Sequence, residues 1–235
     1  MERRFMGKRA LVTGAAGGIG EVLVKTLEAE GALVFGVDRP NGDLGDPAYA
    51  DSLPGQAQAA LGGLDLVFNN AGIITRGPIT QSSDEDLRRT LAINVEAPAR
   101  ICRAAIPIMA ASGGGAIVNT ASCWGLRPGP DHALYCMSKA ALASLTQCMG
   151  RDHAPQGIRI NAVAPNEVDT PMLRTGFEQR GYDPDTAIAE LGKTVPVGHV
   201  ASPEEIVAAM LFLASDAARY ITGTILEANG GKPVG

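Results

Sequence analysis

Apolar positions along the chain fall in short runs, and each run is followed by a stretch with helical spacing. "ALVTG" (10–14) leads into a helical pattern that ends at Gly31. "ALVFGVD" (32–38), "LDLVFNNAG" (64–72), "GAIVNTAS" (115–122), "GIRINAV" (157–163) and "TILEA" (224–228) follow, separated by helix-like segments. Runs this continuously apolar are buried on both faces, so the pattern predicts a parallel sheet with helices on each side. Helix starts are marked by Ser83 with Asp86, and by "SPEE", where Ser202 caps, Pro203 opens the first turn and Glu205 reaches back. No repeat, low-complexity tract or linker divides the chain. At 235 residues, one doubly wound α/β domain spanning 1–235 is the economical reading.

Composition narrows the function classes. Hydrophobic residues at 46% and charged residues at 19% describe an ordinary globular protein. A net charge of −5 with no broad basic face argues against nucleic acid as a partner. The locally basic "ERRFMGKR" is too short for a transit peptide and runs straight into the first strand. No apolar run reaches the ~18 residues of a membrane span, so a cytoplasmic protein is expected. Cys102, Cys123, Cys136 and Cys148 show neither CxxC spacing nor a partner histidine pattern. They read as free thiols in a reducing compartment, with no metal site.

Candidate chemistry starts at the first strand-to-helix turn, "TGAAGGIG" (13–20). Gly14, Gly18 and Gly20 let the backbone turn sharply and approach a pyrophosphate at a helix N-terminus; a merely tight βα connection is the plainer alternative. The second strand ends at Asp38, eighteen residues past Gly20. A carboxylate there accepts hydrogen bonds from the adenosine ribose and repels a 2′-phosphate, which favours NAD over NADP. Arg39 next to it pulls the other way, and the strand-end acid is taken to dominate. Further on, "YCMSK" puts Tyr135 and Lys139 four positions apart on one helical face, a spacing that a snorkelling surface pair would also satisfy.

These residues together resemble the classical short-chain dehydrogenase/reductase family over nearly the whole chain. "TGAAGGIG" is similar to the family's TGxxxGIG turn, and "NNAG" (69–72) to its fourth-strand signature. Asn94 stands where the family has a mid-helix asparagine, Ser122 lies thirteen residues before Tyr135, and "YCMSK" is its YxxxK element. The resemblance implies a Rossmann-type sheet of about seven strands and nicotinamide-dependent alcohol–carbonyl chemistry, with a homotetramer as the common assembly. It makes Tyr135 the acid/base, its pKa of ~10 lowered by the Lys139 cation and by the positive nicotinamide. Lys139 also holds the nicotinamide ribose, Ser122 steadies the substrate oxygen, and Asn94 positions a water on a proton path. Ile19, Asn70 and Gly72 join the cofactor cleft. Asp43 and Leu44 resemble the acidic and apolar pair beside the adenine, with Asp43 facing its amine. The segment between Asp38 and Asn69 is short for the family, which implies a trimmed covering helix.

After the sixth strand of that pattern, the family's Pro-Gly pair is replaced by "APNEVDTPM" (164–172), with Asn166 in the glycine's place. Asparagine tolerates positive φ, so the turn is expected to survive. Val168 and Thr170 then reach the nicotinamide carboxamide. Glu167 is left with two open readings, a substrate contact or a solvated turn acid. Residues 170–198 form the family's variable substrate lid. Here it carries Arg174, Arg180 and Lys193 and few large apolar residues, which suits a polar ligand rather than a steroid or fatty acyl chain. Arg127, Arg174 and Arg180, with Arg76 in support, are candidates for a carboxylate; His132 and Trp124 are candidate pocket walls. The expected activity is NAD-dependent interconversion of a secondary alcohol and a ketone on a small polyol, sugar or sugar acid. A ketoacyl or simple secondary-alcohol reductase is the alternative, and a non-catalytic NAD sensor a remote one.

Overall fold

The computed structural model describes residues 3–232. Its six strands, β1 (Arg9–Thr13), β2 (Leu33–Val37), β3 (Leu66–Asn69), β4 (Gly115–Thr120), β5 (Ile158–Pro165) and β6 (Ile225–Ala228), form one parallel sheet in the order β2-β1-β3-β4-β5-β6. Alternate residues of each central strand face opposite layers. Ala10, Val12, Phe68 and Val118 pack under α1 (Gly18–Ala29) and α9 (Pro203–Ala214). Leu11, Val67 and Ile117 pack under α2 (Pro47–Leu61), α4 (Ala97–Ala111) and the far end of α6 (Ala133–Asp152). Burial on both faces is why these strands read as unbroken apolar runs.

The sheet has six strands among the described residues, one fewer than expected, and the position of the loss is clear. The doubly wound order 3-2-1-4-5-6 places a further strand outside β2. Here β2 is the edge, and its Leu33 is exposed. The chain passes directly from a short 3₁₀ turn at Arg39–Asn41 into the fifteen-residue α2 and then into β3. The covering helix is therefore intact; a strand accounts for the short segment.

Both expected capping boxes are present. The Ser83 hydroxyl accepts from Asp86 N at the start of α3 (Asp84–Leu91), and the Ser202 hydroxyl from Glu205 N at the start of α9. Between α3 and α4, Ala92–Glu96 winds as a single π-type turn that carries Asn94. Two short helices, α7 (Pro171–Glu178) and α8 (Pro184–Lys193), rise over the C-terminal ends of the strands. No helix among the described residues is long and apolar enough to cross a membrane.

Candidate active site

Sheet order reverses between β1 and β3, and the crevice outside the strand ends at such a switch point is where α/β sheets bind ligands. A cleft of about 820 Å³ opens there. Its outer end is built by the turn from β1 into α1. Gly14 has φ +67°, and a Cβ on it would stand 2.9 Å from Ala71 Cα; one on Gly20 would stand 1.9 Å from the Gly14 carbonyl oxygen. Only glycine fits either place, so the backbone itself forms the cradle. The α1 N-terminus carries no side-chain cap at Gly17, which leaves its N–H groups available to an anion. Gly18 and Ile19 line the cleft, whereas Gly20 lies beneath it. Thr13 bolts this turn to the "NNAG" loop. Its hydroxyl accepts from Asn70 N (3.2 Å) and Ala71 N (3.1 Å), while Asn70 Nδ2 donates back to the Thr13 and Gly14 carbonyls (both 3.3 Å).

At the end of β2, Asp38 Oδ2 accepts from Ala16 N (2.8 Å) and Oδ1 from Arg39 N (2.7 Å). The carboxylate is fixed by two backbone donors, and each oxygen keeps capacity for a sugar hydroxyl. Arg39 also borders the cleft. Asp43 and Leu44 line the same end. Asp43, however, is engaged by Arg89 on α3 (2.6 Å) and by Gly45 N (2.8 Å), which hold its pKa below the usual carboxylate range. Arg89 is a cleft residue that the sequence reading missed, because the pair joins positions far apart in the chain.

The inner end holds Ser122, Tyr135 and Lys139 side by side with Gly72. Ser122 ends the extended segment after β4 and caps α5 (Cys123–Leu126) by accepting from Trp124 N (3.2 Å). Its hydroxyl also lies near the Tyr135 phenol and acts to lower the phenol's pKa. Lys139, 4% exposed, donates to the Thr120 carbonyl (2.7 Å), and its Nζ lies 5.8 Å from the Tyr135 ring centroid. Burial pushes the Lys139 ammonium down to about 8. Burial raises the phenol above its ordinary value; the nearby Ser122 hydroxyl and, more weakly, the Arg76 charge act against that rise.

Asn94 does not line the cleft. Its Oδ1 accepts from Ile73 N (2.9 Å), and its Nδ2 donates to the Ile73 carbonyl (2.9 Å) and to Ser138 Oγ (3.0 Å). The π-type turn thus aims one amide at both the "NNAG" loop and α6, next to Lys139. Asn94 is a positioning residue in this geometry.

Past β5, Glu167, Val168 and Thr170 border the cleft. Asn166 keeps negative φ, since Asp131 is the one non-glycine with positive φ among the described residues, so the turn needs no glycine. Both ends of the Asn166 amide are buried without a partner. Glu167 is not a solvated turn acid: Oε1 pairs with Lys232 (3.0 Å) and Oε2 is buried and unpartnered.

The lid differs most from expectation. Met172, Leu173 and Phe177 of α7 and Leu191 of α8 turn toward the cleft, giving it an apolar wall. The cations sort to different places. Arg174 is locked between Asp169 (2.7 Å) and Asp185 (2.8 Å), Arg127 pairs with Glu227, and Lys193 pairs with Glu190. None of these three lines the cleft, so Arg127 and Arg174 are withdrawn as substrate contacts. Arg180 and Arg76 do line it, as do Trp124 and His132, whose rings meet edge-on at 4.4 Å.

A phosphate cradle that a Cβ would fill, a carboxylate at the ribose position and a half-buried Tyr135 beside the buried Lys139 and Ser122 fit a nicotinamide dinucleotide. Comparison with known proteins agrees. A family model described as enoyl-(acyl carrier protein) reductase matches residues 41–232. Meso-2,3-butanediol dehydrogenase of Serratia marcescens is 33% identical over 247 residues, covering 97% of this chain and 95% of that one. The structure of 3-ketoacyl-(acyl-carrier-protein) reductase from Brucella melitensis, complexed with NADH, superposes with a TM-score of 0.88 at 29% identity, covering 98% of this chain and all of that one. Aldohexose dehydrogenase of Thermoplasma acidophilum gives 0.90 at 29% identity, with 97% and 95% covered. The chain belongs to the short-chain dehydrogenase/reductase family of oxidoreductases. The substrates named for these three relatives, a butanediol, a 3-ketoacyl-(acyl-carrier-protein) and an aldohexose, differ widely, so substrate has to be argued from this chain's own cleft.

Proposed function

We propose that this protein is an NAD-dependent dehydrogenase that interconverts a secondary alcohol and a ketone on a small hydroxylated substrate of the polyol, sugar or sugar-acid class. The observation that carries the reading is the convergence of Ser122, Tyr135 and Lys139 at the inner end of the same cleft whose outer end presents Asp38. When bound, the nicotinamide supplies the hydride acceptor or donor for the carbinol carbon.

The chain's own groups manage the oxygen and its proton. During oxidation the substrate O–H proton passes to the Tyr135 oxygen as the carbinol C–H bond breaks; reduction reverses both movements. Ser122 donates to the substrate oxygen and steadies its charge in either direction. Burial raises the pKa of the phenol, which favours its protonated form. It becomes a base only when positive charge is added beside it. Lys139, at about 8, is poised to exchange protons near neutral pH and suits a relay next to the phenol. Asp38 supports NAD as the cofactor through its two fixed oxygens.

The apolar wall of Leu173, Phe177 and Leu191 favours a second reading, a simple secondary alcohol or ketoacyl substrate. A panel of polyols, sugars, sugar acids and unsubstituted secondary alcohols, assayed for NADH formation, separates the two. Turnover of hydroxylated members ahead of the simple alcohols supports the first. The reverse order supports the second, and no turnover with any member contradicts the dehydrogenase itself.

A further inference from the structure

Two arginines at the mouth of the cleft have no carboxylate partner among the described residues. Most other cations near the cleft do: Arg89, Arg127, Arg174 and Lys232 are all paired. Arg76 follows the "NNAG" loop, and Arg180 follows α7. They meet at Gly176. A Cβ on Gly176 would stand 2.3 Å from Arg76 Nη2, so the absent side chain is the space in which the guanidinium lies. Arg180 Nε donates to the Gly176 carbonyl (2.8 Å), and its guanidinium stacks over the Phe177 ring at 4.8 Å. Arg76 Nη2 reaches only the Met172 carbonyl, at 3.3 Å.

The placement of Arg76 relative to the chemistry is fixed. Gly77 N donates to the Asp131 carbonyl (2.6 Å), and Gly77 pairs with His132, the residue before α6. This bridge ties the Arg76 loop to the start of the helix that carries Tyr135. The two side chains are near enough that the guanidinium charge acts on the phenol. Two like charges brought together without a counter-ion cost free energy, and Arg76 feels both partial burial and the Arg180 charge. An anion between them would remove that cost.

We propose, on the dehydrogenase reading above, that Arg76 and Arg180 form the anion-binding end of the substrate site, and that the substrate is a hydroxy acid whose carboxylate they hold while its carbinol lies at Ser122 and Tyr135. Each guanidinium has five N–H donors and uses one, so several remain on each to meet a planar carboxylate side-on. The backbone groups beside the pair are carbonyl oxygens, those of Met172 and Gly176, and both oppose a second negative charge. The site therefore suits a carboxylate rather than a phosphate ester, which other proteins hold with converging backbone N–H groups. The Leu173 and Phe177 wall receives the carbon chain between the two ends.

The test compares acids with their reduced partners: 3-hydroxybutyrate against 1,3-butanediol, and gluconate against glucitol. The expected result is a kcat/KM ratio favouring the acid in at least one pair. In Arg76→Gln and Arg180→Gln that ratio falls roughly tenfold to hundredfold through KM for the acid, and Arg180→Lys restores it in part. Arg88→Gln, an exposed change on α3, controls for net charge. Binding is measured independently of turnover by titrating acetoacetate against the fluorescence of Trp124, the single tryptophan, which borders the cleft. The same two Gln variants should weaken that binding. Equal use of acids and alcohols by the wild type overturns the hydroxy-acid proposal while leaving the dehydrogenase reading in place. So does acetoacetate binding indifferent to both arginines, or stronger binding of glycerol 3-phosphate. Failure of all four substrates, with acetoacetate binding still dependent on the arginines, overturns the dehydrogenase reading and leaves the anion site standing.

Discussion

Replacing Lys139 by methionine should make the protein inactive and, at neutral pH, no less stable. Lys139 is almost fully buried, makes one hydrogen bond to the Thr120 carbonyl, and has its pKa lowered by burial from 10.5 to about 8. At ~1.4 kcal/mol per pKa unit, the charged ammonium costs the folded state about 3 kcal/mol. Because the folded pKa is depressed, the unfolded chain binds more protons between about 8 and 10.5, and stability rises with pH through that window alone. Below about 8 both states are protonated and the whole cost is present. Methionine fills similar volume and removes the cost, but leaves the Thr120 carbonyl without its donor, a loss of ~1–3 kcal/mol. The variant should therefore be equal to the wild type or up to ~2 kcal/mol more stable near pH 7. Near pH 10 most of that cost is gone, and the wild type should be the more stable by up to ~2 kcal/mol. Urea unfolding at fixed protein concentration, followed by Trp124 fluorescence at both pH values, measures the crossing. A difference between the two proteins that is the same at both pH values would refute the buried, depressed ammonium.

Two further outcomes are expected. Asp38→Ala should narrow the preference for NAD over NADP by about tenfold or more in kcat/KM, mainly by relieving repulsion of the 2′-phosphate; a wild-type preference for NADP would mean that Arg39 governs the pocket. Of the four thiols, Cys148 alone is exposed, while burial pushes Cys102 and Cys123 up to about 12 and raises Cys136 as well. Iodoacetamide at neutral pH should add one group to the native protein, and mass spectrometry showing Cys123 modified as fast as Cys148 would contradict the packing around α5.

What could be read in the sequence was local. The glycine turn after β1, the acid ending β2, the capping boxes at Ser83 and Ser202, and the four-residue spacing of Tyr135 and Lys139 each depend on neighbours within a few positions. Features made by distant segments were not legible. Asp43–Arg89 and Arg127–Glu227 join residues far apart, so nothing local marks those charges as already satisfied. The inward face of α7 was misjudged for a related reason. Its content of arginine and glycine reads as polar, yet the helix rotates Leu173 and Phe177 into the cleft and Arg174 toward Asp169. The π-type turn at Asn94 is set by the Ile73 backbone and Ser138, which belong to other elements. The phenol's raised pKa likewise follows from burial by segments distant in the chain, which spacing alone does not reveal.

In the proposed reaction Tyr135 moves the substrate proton, and a bound dinucleotide would take the hydride. Tyr135→Phe removes one oxygen and leaves the packing of α6 intact. The most direct measurement is steady-state NADH formation by the wild type and by this variant on the best substrate of the panel, with NADH affinity measured for both by fluorescence titration. The expected result is a loss of several orders of magnitude in kcat with NADH affinity retained; a folded Tyr135→Phe protein that turns over at near the wild-type rate would contradict this role of Tyr135.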